Sequence, residues 1–155
     1  MKSKADYIHE WLWKTGNDLK IARREMGARD SVSDAVCFHF QQAVEKLLKA
    51  WLIWEDVDFP FTHNIEVLLD LCEESNPGFA DLRGAEILNP YTVEIRYPDD
   101  FYSPTRDDMM GAAAVAERVE RFVLDRLAAE GLNLRAIDPY SRAQESDAQG
   151  KGPNE

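Results

Sequence analysis

The sequence has no long apolar run and few cysteines. None of its hydrophobic stretches approaches the roughly 20 residues that a membrane-spanning helix requires, so we predict no membrane partner. The only two cysteines, Cys37 and Cys72, each fall within an apolar helical stripe. Such thiols are typically buried and unpaired rather than joined in a disulfide or a metal site. Cysteine usage therefore favours a reducing, cytoplasmic location.

Histidines and glycine loops are also scarce. The three histidines are His9, His39 and His63, and no two of them have the spacing of helical metal ligands. The chain has neither HExxH nor Cys-x-x-Cys, so we expect no metal and no other cofactor. The absence of GxxxxGK[ST] and GxGxxG excludes a glycine loop that holds phosphates. A Gly-x-Ser-x-Gly nucleophile motif is missing as well.

Positively charged residues are also scarce, since 18 Lys and Arg stand against 29 Asp and Glu and the formal net charge is −11. A protein that coats nucleic acid by counterion release is normally basic overall. Only the first 29 residues are locally basic, with seven Lys or Arg against four Asp or Glu. Any contact with nucleic acid must therefore be local, and the acidity is equally consistent with a simple role in solubility.

Apolar residues recur with helical spacing along most of the chain. The pattern predicts an all-α, up-and-down bundle of four long helices plus one short helix over residues 1–131, followed by a disordered tail over 132–155. Asn89-Pro90 predicts a kink or a split into two short helices within the fourth element. The predicted elements are 5–26, 33–54, the short 65–74, 79–98 and 106–127.

The second predicted helix carries an unusual number of polar groups. Its apolar arc leaves Gln41, Gln42, Glu45 and Lys49 on the opposite side, and places His39 and Lys46 at the border, in the sequence Phe38-His39-Phe40-Gln41-Gln42-Ala43-Val44-Glu45-Lys46-Leu47-Leu48-Lys49-Ala50. These side chains have a simple structural interpretation as hydrogen-bonded or solvated groups. His63 lies just before the third predicted helix and is predicted to cap its N-terminus.

Three ordered motifs resemble those of the HEPN domain family. They are the Phe38 to Leu52 helix, the segment Phe61-Thr62-His63-Asn64-Ile65, and the step Arg96-Tyr97-Pro98-Asp99 ahead of an alanine-rich last helix. The resemblance implies a compact helical bundle that commonly forms a homodimer and is often encoded beside a small nucleotidyltransferase. It also implies nucleotide binding and, in many branches, metal-independent RNA cleavage by a toxin.

The resemblance places the candidate site around Arg96. Ribonuclease branches carry a histidine a few residues after this arginine, but here Tyr102 stands at that distance and no histidine follows His63. Catalytic residues therefore stay unassigned. Arg96 is a suitable bidentate phosphate ligand, whereas tyrosine, with an ordinary pKa of about 10, is a poor base. The nucleotide- or phosphate-binding candidates are Arg96, Tyr97, Asp99, Tyr102, His39, Gln42, Lys46 and Lys49.

Three functions are consistent with this pattern. The leading hypothesis is a non-enzymatic or weakly active HEPN domain that binds a nucleotide, an RNA phosphate or a partner nucleotidyltransferase in a two-component, toxin–antitoxin-like module. The second is a metal-independent endoribonuclease that uses Arg96 with an atypical base. The third is a homodimeric interaction module that binds no ligand.

Overall fold

Four α-helices and two 3₁₀ helices account for most of the described chain. The computed structural model describes residues 1–92 and 102–134, and within those ranges it contains no β-strand. The all-α fold predicted from the sequence is thereby confirmed. The α-helices are α1 (Lys4–Met26), α2 (Ser33–Trp54), α3 (Ile65–Ser75) and α4 (Arg106–Ala129), and the 3₁₀ helices are Pro77–Leu82 and Ala85–Tyr91.

Helix α2 is the central element of the bundle. It packs most extensively against α1 and α4, while α3 and the second 3₁₀ helix cover its remaining side. Trp51 of α2 lies at the heart of the core, with its ring centroid 5.2 Å from that of Phe79. Phe79 in turn meets Phe122 of α4 edge to face at 4.9 Å. These aromatic contacts join α2, the first 3₁₀ helix and α4 within the core.

The prediction that the polar side of α2 faces outward was wrong, because α2 is surrounded by other parts of the chain. Gln41, Glu45 and Lys49 are 0%, 4% and 7% exposed, although the apolar arc assigned them to the outer side of the helix. The chain after α2 covers this side, because Gln41 donates to the carbonyl of His63 and the Lys49 ammonium lies 5.8 Å from the Phe59 ring centroid. α2 is therefore buried on its polar side as well.

The segment expected to form the fourth helix is split. Residues 77–82 and 85–91 form separate 3₁₀ helices, as in the alternative of two short helices. The break falls at Gly84 rather than at Asn89-Pro90, since Gly84 has a φ of 105°, which glycine adopts without a steric penalty. Pro90 lies inside the second 3₁₀ helix. The predicted continuation to residue 98 lies outside the described residues.

Helix ends follow local capping chemistry. Ser3 with Asp6 and Thr105 with Asp108 form capping boxes at the starts of α1 and α4. Asn64 caps α3 by accepting from Glu66 N and Val67 N, so the prediction that His63 is the cap was wrong.

The cysteines and the chain end complete the description. Cys37 and Cys72 are buried free thiols, as predicted, and burial raises the pKa of Cys37 to about 12. Leu132 is still part of the core, and most of the tail predicted for 132–155 lies outside the described residues. Among the described helices, none is long and apolar enough to cross a membrane.

Candidate functional site

A polar cleft lies where the start of α3 meets the end of the second 3₁₀ helix. It has a volume of about 370 Å³, and the described residues that line it are Thr62, His63, Asn64, Asn89 and Thr92. All five side chains have groups that can donate or accept a hydrogen bond. The chain continues from Thr92 directly into the segment that contains Arg96.

Two asparagines hold the walls of the cleft together. Asn89 Oδ1 accepts from the backbone N–H of Ile65 at 2.8 Å, and Asn89 Nδ2 donates to Asn64 Oδ1 at 3.1 Å. Asn64 Oδ1 also accepts from Glu66 N at 2.9 Å. These bonds satisfy the first N–H groups of α3 and fix the two chain segments relative to each other.

Among the described residues that line the cleft, His63 alone has a titratable side chain. Its Nδ1 lies 2.6 Å from Oε1 of Glu45, a residue of α2 that is only 4% exposed. A carboxylate only accepts hydrogen bonds, so Nδ1 carries the hydrogen and donates a hydrogen bond to Glu45. The His63 side chain is 51% exposed, and Nε2 has no hydrogen-bond partner among the described residues. Glu45 thus fixes the tautomer that leaves Nε2 available to a ligand.

A buried network supports Glu45 from the other side. Lys49 Nζ lies 3.8 Å from Glu45 Oε2, one helical turn away. Gln41, one turn in the other direction, donates to the His63 carbonyl at 3.2 Å and accepts from Gln42 Nε2 at 2.6 Å. Gln42 and Lys49 were both predicted as ligand contacts. The structure places Gln42 beside this network and Lys49 within it, and neither is among the described residues that line the cleft.

The other two candidates on α2 belong to a separate cluster. Asp18 of α1, 8% exposed, accepts from His39 Nδ1 at 2.9 Å and also pairs with Lys46 Nζ. Neither His39 nor Lys46 is among the residues that line the cleft. The Asp18 carboxylate compensates the Lys46 charge and holds α1 against α2.

The candidates near Arg96 are only partly described. The Tyr102 hydroxyl donates a hydrogen bond to Asp108. This bond makes the largest contribution to lowering the pKa of Asp108, and hydrogen bonds from Thr105 lower it further. The described geometry therefore gives Tyr102 a place at the N-terminus of α4. Arg96, Tyr97 and Asp99 lie outside the described residues, and their roles stay predictions.

Sequence reasoning missed Asp18 and Glu45, the acidic centres of the two clusters. The signal for Glu45 was its position one turn from both Gln41 and Lys49, on a helix that also has apolar residues such as Leu52 and Ile53 beyond its main arc. A regular polar stripe on such a helix indicates a buried polar network. Asp18 carries no comparable local signal. Within the described ranges, no group of three or more His, Cys, Asp or Glu side chains is placed to hold a metal ion.

These features define a class of protein: a small α-helical domain whose central helix supplies a buried acid to a polar cleft. The HEPN domain family model matches residues 8–127, which include parts of all four α-helices. The chain therefore belongs to the HEPN domain family. Comparisons with curated proteins and with solved structures gave no significant match.

Proposed function

We propose that this HEPN domain binds the phosphate group of a nucleotide or of RNA in the cleft that His63 lines. The observation that carries the proposal is the half-exposed imidazole held at 2.6 Å by the buried carboxylate of Glu45. A fixed imidazole offers a directed N–H donor to an anion when it is protonated. Arg96 enters the same proposal as a bidentate phosphate ligand, because its segment follows directly after the cleft residue Thr92.

The charge of the chain favours a small ligand or a short stretch of RNA. A net charge of −11 repels a long polyanion, so attraction has to come from a few groups at one place. The cleft volume of about 370 Å³ lies at the lower end of the range of small-molecule sites. A single nucleotide unit is consistent with both quantities.

Matched histidine substitutions test the proposal. His63→Gln keeps a polar side chain but cannot become a cation, whereas His9→Gln is the control, since His9 contacts the Asn133 carbonyl away from the cleft. A charge-assisted hydrogen bond contributes about 1.5–3 kcal/mol, so His63→Gln should weaken AMP binding about tenfold or more. Calorimetric titration at pH 6 measures the affinity. Equal affinity of wild type, His63→Gln and Arg96→Ala would contradict the proposal.

A second candidate function is metal-independent RNA cleavage, and the Glu45–His63 pair is the observation that favours it. Nε2 of neutral His63 would take the proton from a ribose 2′-hydroxyl, and O2′ would attack the adjacent phosphorus. The P–O5′ bond would break, the leaving oxygen would take a proton from water, and the hydroxide formed would recover the proton from His63. The products are a 2′,3′-cyclic phosphate and a 5′-hydroxyl. His63 would thus act as the atypical base, and Arg96 would bind the phosphate.

Cleavage has a clear signature. Wild type should cut single-stranded RNA in the presence of EDTA, leave cyclic phosphate ends and spare a 2′-deoxy substrate. His63→Gln should abolish the activity. Intact RNA after prolonged incubation with wild type would eliminate this candidate and leave phosphate binding as the function.

The two-component part of the proposal concerns a protein partner. The family resemblance supports a homodimer and a small nucleotidyltransferase partner encoded by a neighbouring gene. Co-expression with such a neighbour should yield a complex that survives gel filtration. Separate elution of the two proteins would remove the nucleotidyltransferase from the proposal without affecting the cleft.

A further inference from the structure

Phe61 is the most exposed large aromatic side chain in the described part of the molecule. It is 93% exposed, although phenylalanine is normally among the buried residues. It lies two residues before His63, and the two ring centroids are 5.4 Å apart with the ring planes at 73°. An unburied aromatic ring therefore adjoins the imidazole that lines the cleft.

The backbone next to Phe61 is restricted by its neighbours. Pro60 precedes it and restricts the backbone. Thr62 follows it, and its Oγ1 accepts from Asn64 N at 3.1 Å just before α3 begins. Asn64 is itself fixed by Asn89 across the cleft. Phe61 thus lies at a bend of the backbone next to these hydrogen bonds, and its ring contacts His63 beside the cleft.

We propose that Phe61 is a stacking platform for a nucleobase whose phosphate occupies the cleft at His63. This inference rests on the proposed function and adds the base to it. Every base has a π-face, so a lone phenylalanine ring accepts bases with little selectivity. In a duplex the base faces are covered by neighbouring pairs, so the site takes mononucleotides or unpaired nucleotides of single-stranded RNA. The ligand class is a nucleoside phosphate with an unstacked base.

Two ligands with the same phosphate separate the contributions of base and phosphate. AMP carries a base and ribose 5-phosphate does not, and chemical-shift titration of the folded protein measures both affinities. Stacking on an aromatic side chain changes affinity at least about fivefold when that side chain is truncated to alanine. Phe61→Ala should therefore weaken AMP at least fivefold and leave ribose 5-phosphate unchanged, whereas Phe61→Trp should retain AMP binding. Met110→Ala is the matched control, since Met110 is 53% exposed on α4 and does not line the cleft.

Each alternative outcome is distinct. If Phe61→Ala weakens both ligands equally, or neither, the stacking role is wrong while phosphate binding at His63 stands. If wild type binds neither ligand, the proposed function and this inference both fail. If Phe61→Ala leaves AMP affinity unchanged but shifts the sedimentation coefficient, the ring contacts a second copy of the chain instead of a base. Because Phe61 is almost fully exposed, its truncation should leave the melting temperature unchanged.

Discussion

Replacing Glu45 by glutamine tests the buried centre of the site. The substitution preserves the shape of the side chain but removes its charge. It leaves the Lys49 ammonium, which is 7% exposed, without the carboxylate that lies 3.8 Å away. It also replaces the charged acceptor of His63 Nδ1 by a neutral one. Both losses destabilise the folded state.

The magnitude follows from burial and distance. Removing one partner of a buried ion pair costs about 3–5 kcal/mol, and the separation of 3.8 Å favours the lower end of that range. Weakening the hydrogen bond to His63 adds about 1 kcal/mol. Glu45→Gln should therefore lower the free energy of unfolding by about 3–4 kcal/mol, a large part of the total of a typical domain.

The chain contains a matched control for this substitution. Glu117 and Arg121 on α4 form an ion pair with the same i, i+4 spacing at 2.9 Å, but their side chains are 61% and 70% exposed. Glu117→Gln should change the free energy of unfolding by about 0.5 kcal/mol or less. Both variants remove one charge from an i, i+4 ion pair, so their difference reports the uncompensated interior ammonium together with the weaker hydrogen bond to His63.

Urea denaturation at pH 7 measures both variants. Adding Lys49→Met to Glu45→Gln removes the uncompensated ammonium, so the double variant should recover at least about 2 kcal/mol. A loss below about 1 kcal/mol for Glu45→Gln, with no recovery in the double variant, would refute the reasoning. Lys49 would then be hydrated rather than paired.

Two further predictions concern Asp18 and Asp108. Asp18→Asn should cost about 3 kcal/mol in urea denaturation, because His39 and Lys46 lose their shared carboxylate; a change within 0.5 kcal/mol would contradict the pairing. Asp108 has a lowered pKa because Tyr102 donates to it, so the folded state holds its proton less tightly than the unfolded chain. This stabilisation is present above the unfolded pKa of about 3.9 and is lost as pH falls through the folded value, so Asp108→Asn should flatten the acid limb of the stability profile.

Helical periodicity was sufficient to locate the α-helices. The predicted bounds 5–26, 33–54, 65–74 and 106–127 lie within two residues of those observed, since each helix buries a regular apolar stripe. The segment 77–91 was harder, because short 3₁₀ helices have no sustained period. The break lies at Gly84, whose positive φ angle is not specified by any local sequence pattern.

The candidate site was less accessible to sequence reasoning. His63 and Glu45 are 18 residues apart, and their contact depends on how the chain after α2 folds back over it. No local pattern encodes that return. The apolar arc of α2 also suggested that Glu45 was solvated, because periodicity marks one buried side and cannot show that a loop covers the other.

The most direct test of the central claim uses the three histidines as internal probes. In a long-range ¹H–¹⁵N spectrum, the imidazole nitrogens of His9, His39 and His63 can be followed while AMP is added. We predict saturable shifts at the His63 ring, with the signals of His9 and His39 unchanged. Saturable shifts at His39, with no shift at His63, would place the ligand at the Asp18 cluster and contradict binding in the cleft.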